Sequence, residues 1–355
     1  MSNVRDGSRI TLRDVAKTSG CSVTTVSIVL NDAPLARYIP ASTKTKIENA
    51  AKQLRYRPNV FARSLRNNRS HTVGLMVFDI TDPYCTLILR GIQNSLYQAS
   101  FMPILTDVRN EPGRFERYLE MLLERQVEGL VVLANWMFMD VNLLADLERN
   151  RTPTVMIGRE LKTNSVSSVI VDNEIGGALA LEHLYSLGHR KIAVIRGPKA
   201  LSDSAARWRG IRKFAQEAKL QLDTQLICEL PQSRDPMSGF KGAYRHTSNL
   251  IKSGHSFSSV LAFDDMTALG TMRALASCGI RVPEQCSVIG FDDIELAALC
   301  TPPLTTIRQP MEAMGSRAVE VLLEAIAAVR EKKSFAAIHR KAKPELIVRQ
   351  STAAL

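Results

Sequence analysis

Between Thr11 and Asn31 the chain reads TLRDVAKTSGCSVTTVSIVLN, and hydroxyls, an amide and short aliphatic tips recur there at helical spacing. Thr11 followed by Asp14 has the form of a helix N-cap with an acidic third residue. Val15 and Ala16 supply the packing side of a short first helix, and Gly20 allows the positive φ of a tight turn. Ser22 caps a second helix, on which Val26, Val29 and Leu30 recur at i, i+3, i+4 and pack inward. The opposite side presents Thr24, Thr25, Ser27, Ile28 and Asn31. Such a small, nearly uncharged face fits a DNA major groove and can touch base edges. The same pattern also describes an ordinary pair of packed helices, so the surroundings have to decide.

Charge decides in favour of nucleic acid. Residues 1–70 hold thirteen Lys and Arg against four Asp and Glu, a net of +9, which leaves +2 of the chain's +11 to residues 71–355. A basic module joined to a near-neutral remainder is the footprint of phosphate binding. An enzyme is the main competitor. No G-x-G-x-x-G opens the first strand–helix unit and no G-x-x-x-x-G-K-[ST] occurs. The adjacent Asp264 and Asp265 fit hydrogen bonding to hydroxyls more simply than carboxylate catalysis. The six Cys and six His lack metal-ligand spacing, and the cysteines read as reduced thiols. The reading is therefore of a non-enzyme without catalytic residues, metal or cofactor. Without an apolar leader or a spanning apolar run, a cytoplasmic chain that does not enter a membrane is expected.

The elements that position these residues can also be read. Ser42 is expected to cap a third helix with Ile47, Ala50, Ala51 and Leu54 on one face. The basic segment around Pro58 is either a flexible linker or a hinge that folds on DNA. From Thr72 onward short apolar strands alternate with amphipathic helices. One series runs VGLMVF, MPILTDV, GLVVLA, TVMIG; a second runs SSVIVD, KIAVIR, QLICEL, SVLAF, CSVIGF. Strands apolar throughout and bounded by helices imply parallel sheets covered on both faces, here two doubly wound subdomains. Ligands of that architecture bind beyond the C-terminal strand ends.

Nearly end to end, the chain resembles the lactose-repressor/galactose-repressor (LacI/GalR) family of bacterial transcription regulators. The resemblance rests on TLRDVA, SVTTVS with VLN, Thr43-Lys44 with YRPN at 56–59, DPYCTLILRGI at 82–92, EGLVVL, VDNEIGG, LGHRKIAVIRGP, RWRGI at 207–211, AFDDMTALGTMRAL at 262–275, VPEQCSVIGFDD and PPLTTIRQP at 302–310. It implies an all-α helix-turn-helix headpiece (1–57), a hinge (58–71) and a periplasmic-binding-protein-like α/β body (72–355). The body's N-subdomain would hold about 72–165 and 303–328, its C-subdomain about 166–302 and 329–355. The family further implies a homodimer that acts as a repressor on a pseudo-palindromic double-stranded operator, under control of a small effector held between the subdomains. Without a leucine-heptad tail after residue 330, a dimer rather than a tetramer is expected. The DNA contacts carried over are Ser22, Val23, Thr24, Thr25, Ser27, Ile28 and Asn31, with Tyr56 and Asn59 at phosphates or the hinge and Leu65 as a minor-groove wedge. The effector contacts are Tyr84, Trp136, Arg159, Arg207, Arg234, Asp264 and Asp292.

Three departures stand out. Ile28 occupies a position where the family usually has arginine, the common reader of guanine, and can instead meet a thymine methyl. The stretch 31–39 carries about three extra residues; Arg37 and Tyr38 there are either DNA-backbone contacts or part of a plain surface insertion. In the cleft, Arg234 replaces a frequent stacking aromatic and Gly158-Arg159 a pair that usually contains aspartate. Trp136 belongs either to the cleft or to the core. Arginines together with aspartates suit an oxygen-rich effector, a sugar acid or a neutral sugar.

Overall fold

The structure is a computed structural model that describes residues 10–31, 33–56, 69–133, 152–159 and 166–355. The chain divides into two compact units, Met1–Ser70 and His71–Leu355.

In the first unit, α1 (Leu12–Ser19), α2 (Val23–Leu30) and α3 (Ala41–Gln53) close around Val15, Ala16, Val26, Ile47, Ala50 and Ala51. The Asp14 carboxylate accepts from both the backbone N–H and the hydroxyl of Thr11 (2.8 and 2.7 Å), which seals the start of α1 and holds that carboxyl below its ordinary range. Gly20 ends α1 at φ 63°, and Ser22 Oγ accepts from the Thr25 N–H at 3.1 Å to begin α2. The expected cap of α3 is corrected. Pro40, not Ser42, stands at the N-cap, and Ser42 lies inside the first turn. Proline's fixed φ starts the helix where a bonded side-chain cap was expected. The extra residues after α2 form a short 3₁₀ helix, Pro34–Tyr38, with Ala36 buried.

The second unit holds two six-stranded sheets. The first contains β1 (Thr72–Val77), β2 (Met102–Asp107), β3 (Gly129–Leu133), β4 (Thr154–Ile157) and β5 (Ser167–Val171). The second contains β6 (Ile192–Arg196), β7 (Ile227–Glu229), β8 (Ser259–Ala262), β9 (Ser287–Asp292) and β10 (Thr305–Arg308). Two late strands, β11 (His339–Ala342) and β12 (Glu345–Ile347), complete one sheet each, in orders β11-β5-β4-β3-β1-β2 and β12-β10-β9-β8-β6-β7. All described pairings are parallel except β10 with β12. The sheets carry α4 (Pro83–Gln98), α5 (Pro112–Glu124), α6 (Asn173–Ser186), α7 (Ser202–Glu217), α8 (Ser238–Lys252), α9 (Asp265–Ser277), α10 (Glu295–Leu299) and α11 (Met311–Arg330).

The expected crossover points move. SSVIVD does not open the second series: β5 pairs with β4 and closes the first sheet. Conversely β10 belongs to the second sheet and β11 to the first, so the chain crosses after β5, after β10 and again between β11 and β12. β5 and β10 are buried over most of their length, so their sequence marks a strand without naming its sheet, and the exposed, polar β11 carries no apolar pattern to place it. The segment expected to form a helix near 140–150, and residues 58–68 of the expected hinge (58–71), lie outside the described residues.

Candidate DNA-reading face and ligand cleft

On α2, Val26 is buried while Val29 and Leu30 pack against the small core. At 100° per residue this turns Thr24, Ile28 and Asn31 furthest outward, with Thr25 and Ser27 on the flanks. Ser22, Val23 and Thr24 are exposed; Thr25, Ser27, Ile28 and Asn31 are half-buried. Local bonds hold this face in place before any partner arrives. Ser22 Oγ and Thr25 Oγ1 lie 2.8 Å apart, and Asn31 Nδ2 donates to the Ser27 carbonyl at 2.7 Å. The face offers hydroxyls and methyls and no guanidinium fork, so it can contact base edges without the bidentate arginine–guanine bond. In the same unit Arg13, Lys17, Arg37, Lys46, Lys52 and Arg55 are exposed, and no salt bridge of the described residues 10–56 neutralises them. Gly20 sits beside the Lys46 ammonium, bringing that cation to the α1–α2 turn. Tyr56 is half-buried and packs on the helical core. Asn59 and Leu65 lie outside the described residues.

The cleft of the second unit is a cavity of about 180 Å³ lined from both sheets by residues just beyond C-terminal strand ends. Phe78, Asp82, Tyr84, Asn110, Gly158 and Arg159 come from the first sheet's side. Asp203, Arg207, Asp235, Phe263, Asp264 and Asp292 are among those from the second, and Gln309 directly follows β10. Its centre is Arg207, buried on α7. Glycines put it there. A Cβ at Gly177 would collide with the Arg207 carbonyl and one at Gly210 with the Glu174 carbonyl, so α6 and α7 pack backbone to backbone. Arg207 Nε donates to Asn173 Oδ1 at 2.8 Å and an Nη to the Phe263 carbonyl at 2.5 Å; another Nη lies 3.5 Å from Asp292. The guanidinium also sits 3.5 Å over the Phe291 ring and 4.6 Å over Phe263. Asn173 passes the network on, donating to Asp203 at 3.1 Å.

Asp292 and its neighbour Asp293 both take positive φ (116° and 62°), a conformation that costs roughly 1–3 kcal/mol per residue unless its surroundings enforce it. Gln309 donates to Asp292 at 2.6 Å, while Arg308 and Arg349 grip Asp293 at 2.7 and 2.6 Å. The bonded turn thereby aims Asp292 into the cleft. Burial pushes the Asp292 carboxyl well up, against the pull of Arg207. Burial also raises Asp203, which Arg207 opposes, and lowers Arg159, which the Asp203 charge opposes.

Of the expected effector residues, the structure brings together Tyr84, Arg159, Arg207, Asp264 and Asp292. Arg234 is not with them: it is exposed, and only its backbone carbonyl takes part, accepting from Asn110 at 3.5 Å. Trp136 lies outside the described residues. Sequence reasoning missed Asp82, Asp203, Asn110, Asn173 and Gln309. Two of these carried a signal. Asp82 stands before Pro83 at a strand-to-helix junction, an N-cap position, and it accepts from the Tyr84 N–H at 3.0 Å. Gln309 lies in the RQP stretch after β10. Burial, with the Asp264 charge adding to it, lifts the Asp82 carboxyl to about 7. Asp264 likewise caps α9, accepting from the Thr267 N–H at 2.7 Å.

A helix-turn-helix with a hydroxyl-lined second helix, in one chain with a polar cleft between two parallel sheets, defines a class: transcription regulators that join a DNA-binding unit to a small-molecule-binding unit. Residues 11–59 match the model of bacterial regulatory proteins of the lacI family, and residues 181–352 match a periplasmic binding protein-like domain. The HTH-type transcriptional repressor PurR of Haemophilus influenzae (strain PittEE) is 33% identical over 343 residues, covering 96% of this chain and 98% of its own. The PurR of Edwardsiella ictaluri is 34% identical over 346 residues, 97% of each chain. Among solved structures, the lac repressor dimer bound to operator and the anti-inducer ONPF superposes with a TM-score of 0.81 at 28% identity, covering 98% of this chain and all of that one. The regulator CelR in complex with cellobiose gives 0.70 at 28%, covering 97% and 100%. The chain belongs to the lacI family and is a DNA-binding transcriptional repressor.

Proposed function

We propose that this repressor binds a pseudo-palindromic operator as a homodimer, with one α2 reading each half-site, and that a neutral, hydroxyl-rich compound in the cleft controls it. In a bacterial cell such a protein works in the cytoplasm. The observation that carries the effector class is the balance of charge in the cleft. Five aspartates line it, Asp82, Asp203, Asp235, Asp264 and Asp292, against the guanidiniums of Arg159 and Arg207, and burial lifts the carboxyls of Asp82, Asp203 and Asp292 toward the neutral form, in which they also donate to hydroxyl oxygens. Arg207 is already committed to Asp292, Asn173 and the Phe263 carbonyl, and Asp235 is paired with Lys241 at 2.7 Å. Asp82 and Asp264 accept only backbone N–H groups among the bonds found for them, so each retains acceptor capacity. Hydroxyls donate to such oxygens, whereas a carboxylate ligand would meet repulsion. A sugar acid loses its support with Arg234 outside the cleft. The cellobiose complex of a structural relative fits the same chemistry.

A melting-temperature screen of the full chain against neutral sugars, matching sugar acids and nucleobases tests this, followed by operator gel shifts with each hit. Neutral sugars that raise the melting temperature and change the shift are expected. Stabilisation by the sugar acids alone would reverse the assignment.

A further inference from the structure

For the segment that follows α2 the sequence left two readings open, a DNA-backbone contact or a plain surface insertion. Its first bond roots it on that helix: the Ala33 N–H donates to the Ile28 carbonyl at 3.0 Å, and Ile28 is one of the outward residues of α2. Pro34–Tyr38 then makes a 3₁₀ helix, in which residues three apart eclipse one another. Ala36 is buried and anchors it. Leu35 and Tyr38 therefore share one outward side, 58% and 69% exposed, and the exposed Arg37 occupies the next. The Arg37 guanidinium lies 4.7 Å over the Tyr38 ring. Pro34 within the segment and Pro40 just after it restrict the backbone, so little freedom is left to lose on contact.

We propose that Pro34–Tyr38 is a second DNA contact, laid on the sugar–phosphate backbone that flanks the half-site read by α2. This rests on the operator-binding reading. Charge complementarity selects the occupant. The stacked guanidinium keeps its N–H edges available, no salt bridge found among the described residues consumes them, and the same unit exposes Arg13, Lys17 and Lys46. Arg37 and the Tyr38 phenol bond phosphate oxygens, and Leu35 covers the apolar face of a deoxyribose. Contacts of this kind hold register and affinity and carry no base preference. The insertion thus widens the footprint of each headpiece without altering the sequence it selects.

The test uses the full chain and a DNA duplex that the wild type selects from a randomised pool. Hydroxyl-radical footprinting and the salt dependence of affinity are compared for wild type, Arg37→Ala, Arg37→Lys and Tyr38→Ala. Each phosphate contact contributes about 0.9 to the slope of log affinity against log salt, so Arg37→Ala is expected to shallow a dimer's slope by about 1.8. It should also weaken binding to selected and unrelated DNA by similar factors and expose the sugars flanking each half-site. Arg37→Lys should keep most of the slope, and circular dichroism should show every variant folded. An unchanged slope and footprint for Arg37→Ala overturns the proposal. So does a change confined to self-association, which would make the segment a protein contact. If the wild type itself selects no duplex, operator binding fails first, and that outcome is distinct because it precedes any comparison of variants.

Discussion

Replacing Arg207 with Met keeps the length of the side chain in its slot between Phe263 and Phe291 but removes the charge. The substitution discards the donors to Asn173 and the Phe263 carbonyl and leaves Asp292 without its cation. Removing one partner of a buried ion pair costs about 3–5 kcal/mol. For a unit of this size, with a shift of roughly 2–3 °C per kcal/mol, the second unit should melt about 6–15 °C lower at neutral pH. The loss should depend on pH, and the sign follows from Asp292. Burial already raises its carboxyl in the folded chain, and Arg207 is the main opposing influence. Without Arg207 the folded-state value rises further. Below the unfolded value near 3.8 both states are protonated, and nothing is lost on that account. As pH rises above it the unfolded chain ionises while the folded chain resists, so stability falls, by at most about 1.4 kcal/mol per pH unit for one group. Urea denaturation at pH 5 and pH 8 should therefore show a larger deficit at pH 8. Adding Asp292→Asn to Arg207→Met should recover at least about 1 kcal/mol at pH 8. A deficit equal at both pH values, with additive effects in the double variant, would refute the claim that Arg207 is held there by Asp292.

Ile28→Arg should move one base pair of each half-site toward G·C by about 1–3 kcal/mol, read by selection from a randomised duplex pool; identical motifs for both proteins would show that residue 28 does not face bases. A hydroxyl donor favours the ionised form of Asp82, whose carboxyl lies at about 7, so effector affinity should rise between pH 5.5 and 7.5 and flatten above. Calorimetry in two buffers of different ionisation enthalpy should show protons released on binding below pH 7, and Asp82→Asn should abolish both effects; a pH-independent wild type would remove Asp82 from the site. Leu65→Ala should reduce DNA bending in a permuted-site gel shift and cost a few kcal/mol of specific binding, with non-specific binding nearly intact. An unchanged bend would end the wedge assignment that the family resemblance suggests.

What the sequence made legible follows from periodicity and local chemistry. The packing side of α2 was readable because Val26, Val29 and Leu30 repeat with the helix, and its starting point because Ser22 can only bond so few groups there. The sheet to which β5 and β10 belong was not readable. A strand buried on both faces has no alternation to orient it, and its sheet depends on partners far away in sequence. The cleft shows a similar division. Arg207 and Asp292 sit on regular elements next to strand ends, and both line the cleft. Arg234 has lining neighbours on both sides, Ser233 and Asp235, yet turns outward, because no periodicity governs side-chain direction in a loop. Asp82 and Asp264 were half visible: their capping role is local, but their approach across the cleft belongs to the tertiary fold.

The three crossings of the chain between the sheets have a consequence for how the protein is made. Each sheet receives its last edge strand from residues 339–347, β11 against β5 and β12 against β10. During synthesis from the N-terminus, both sheets therefore wait with a bare edge until residues 339–347 have been made. An exposed edge is a template for pairing with another chain. Losing residues 339–347 would uncover two such edges at once, so these two short strands shield the rest of the molecule from its own copies.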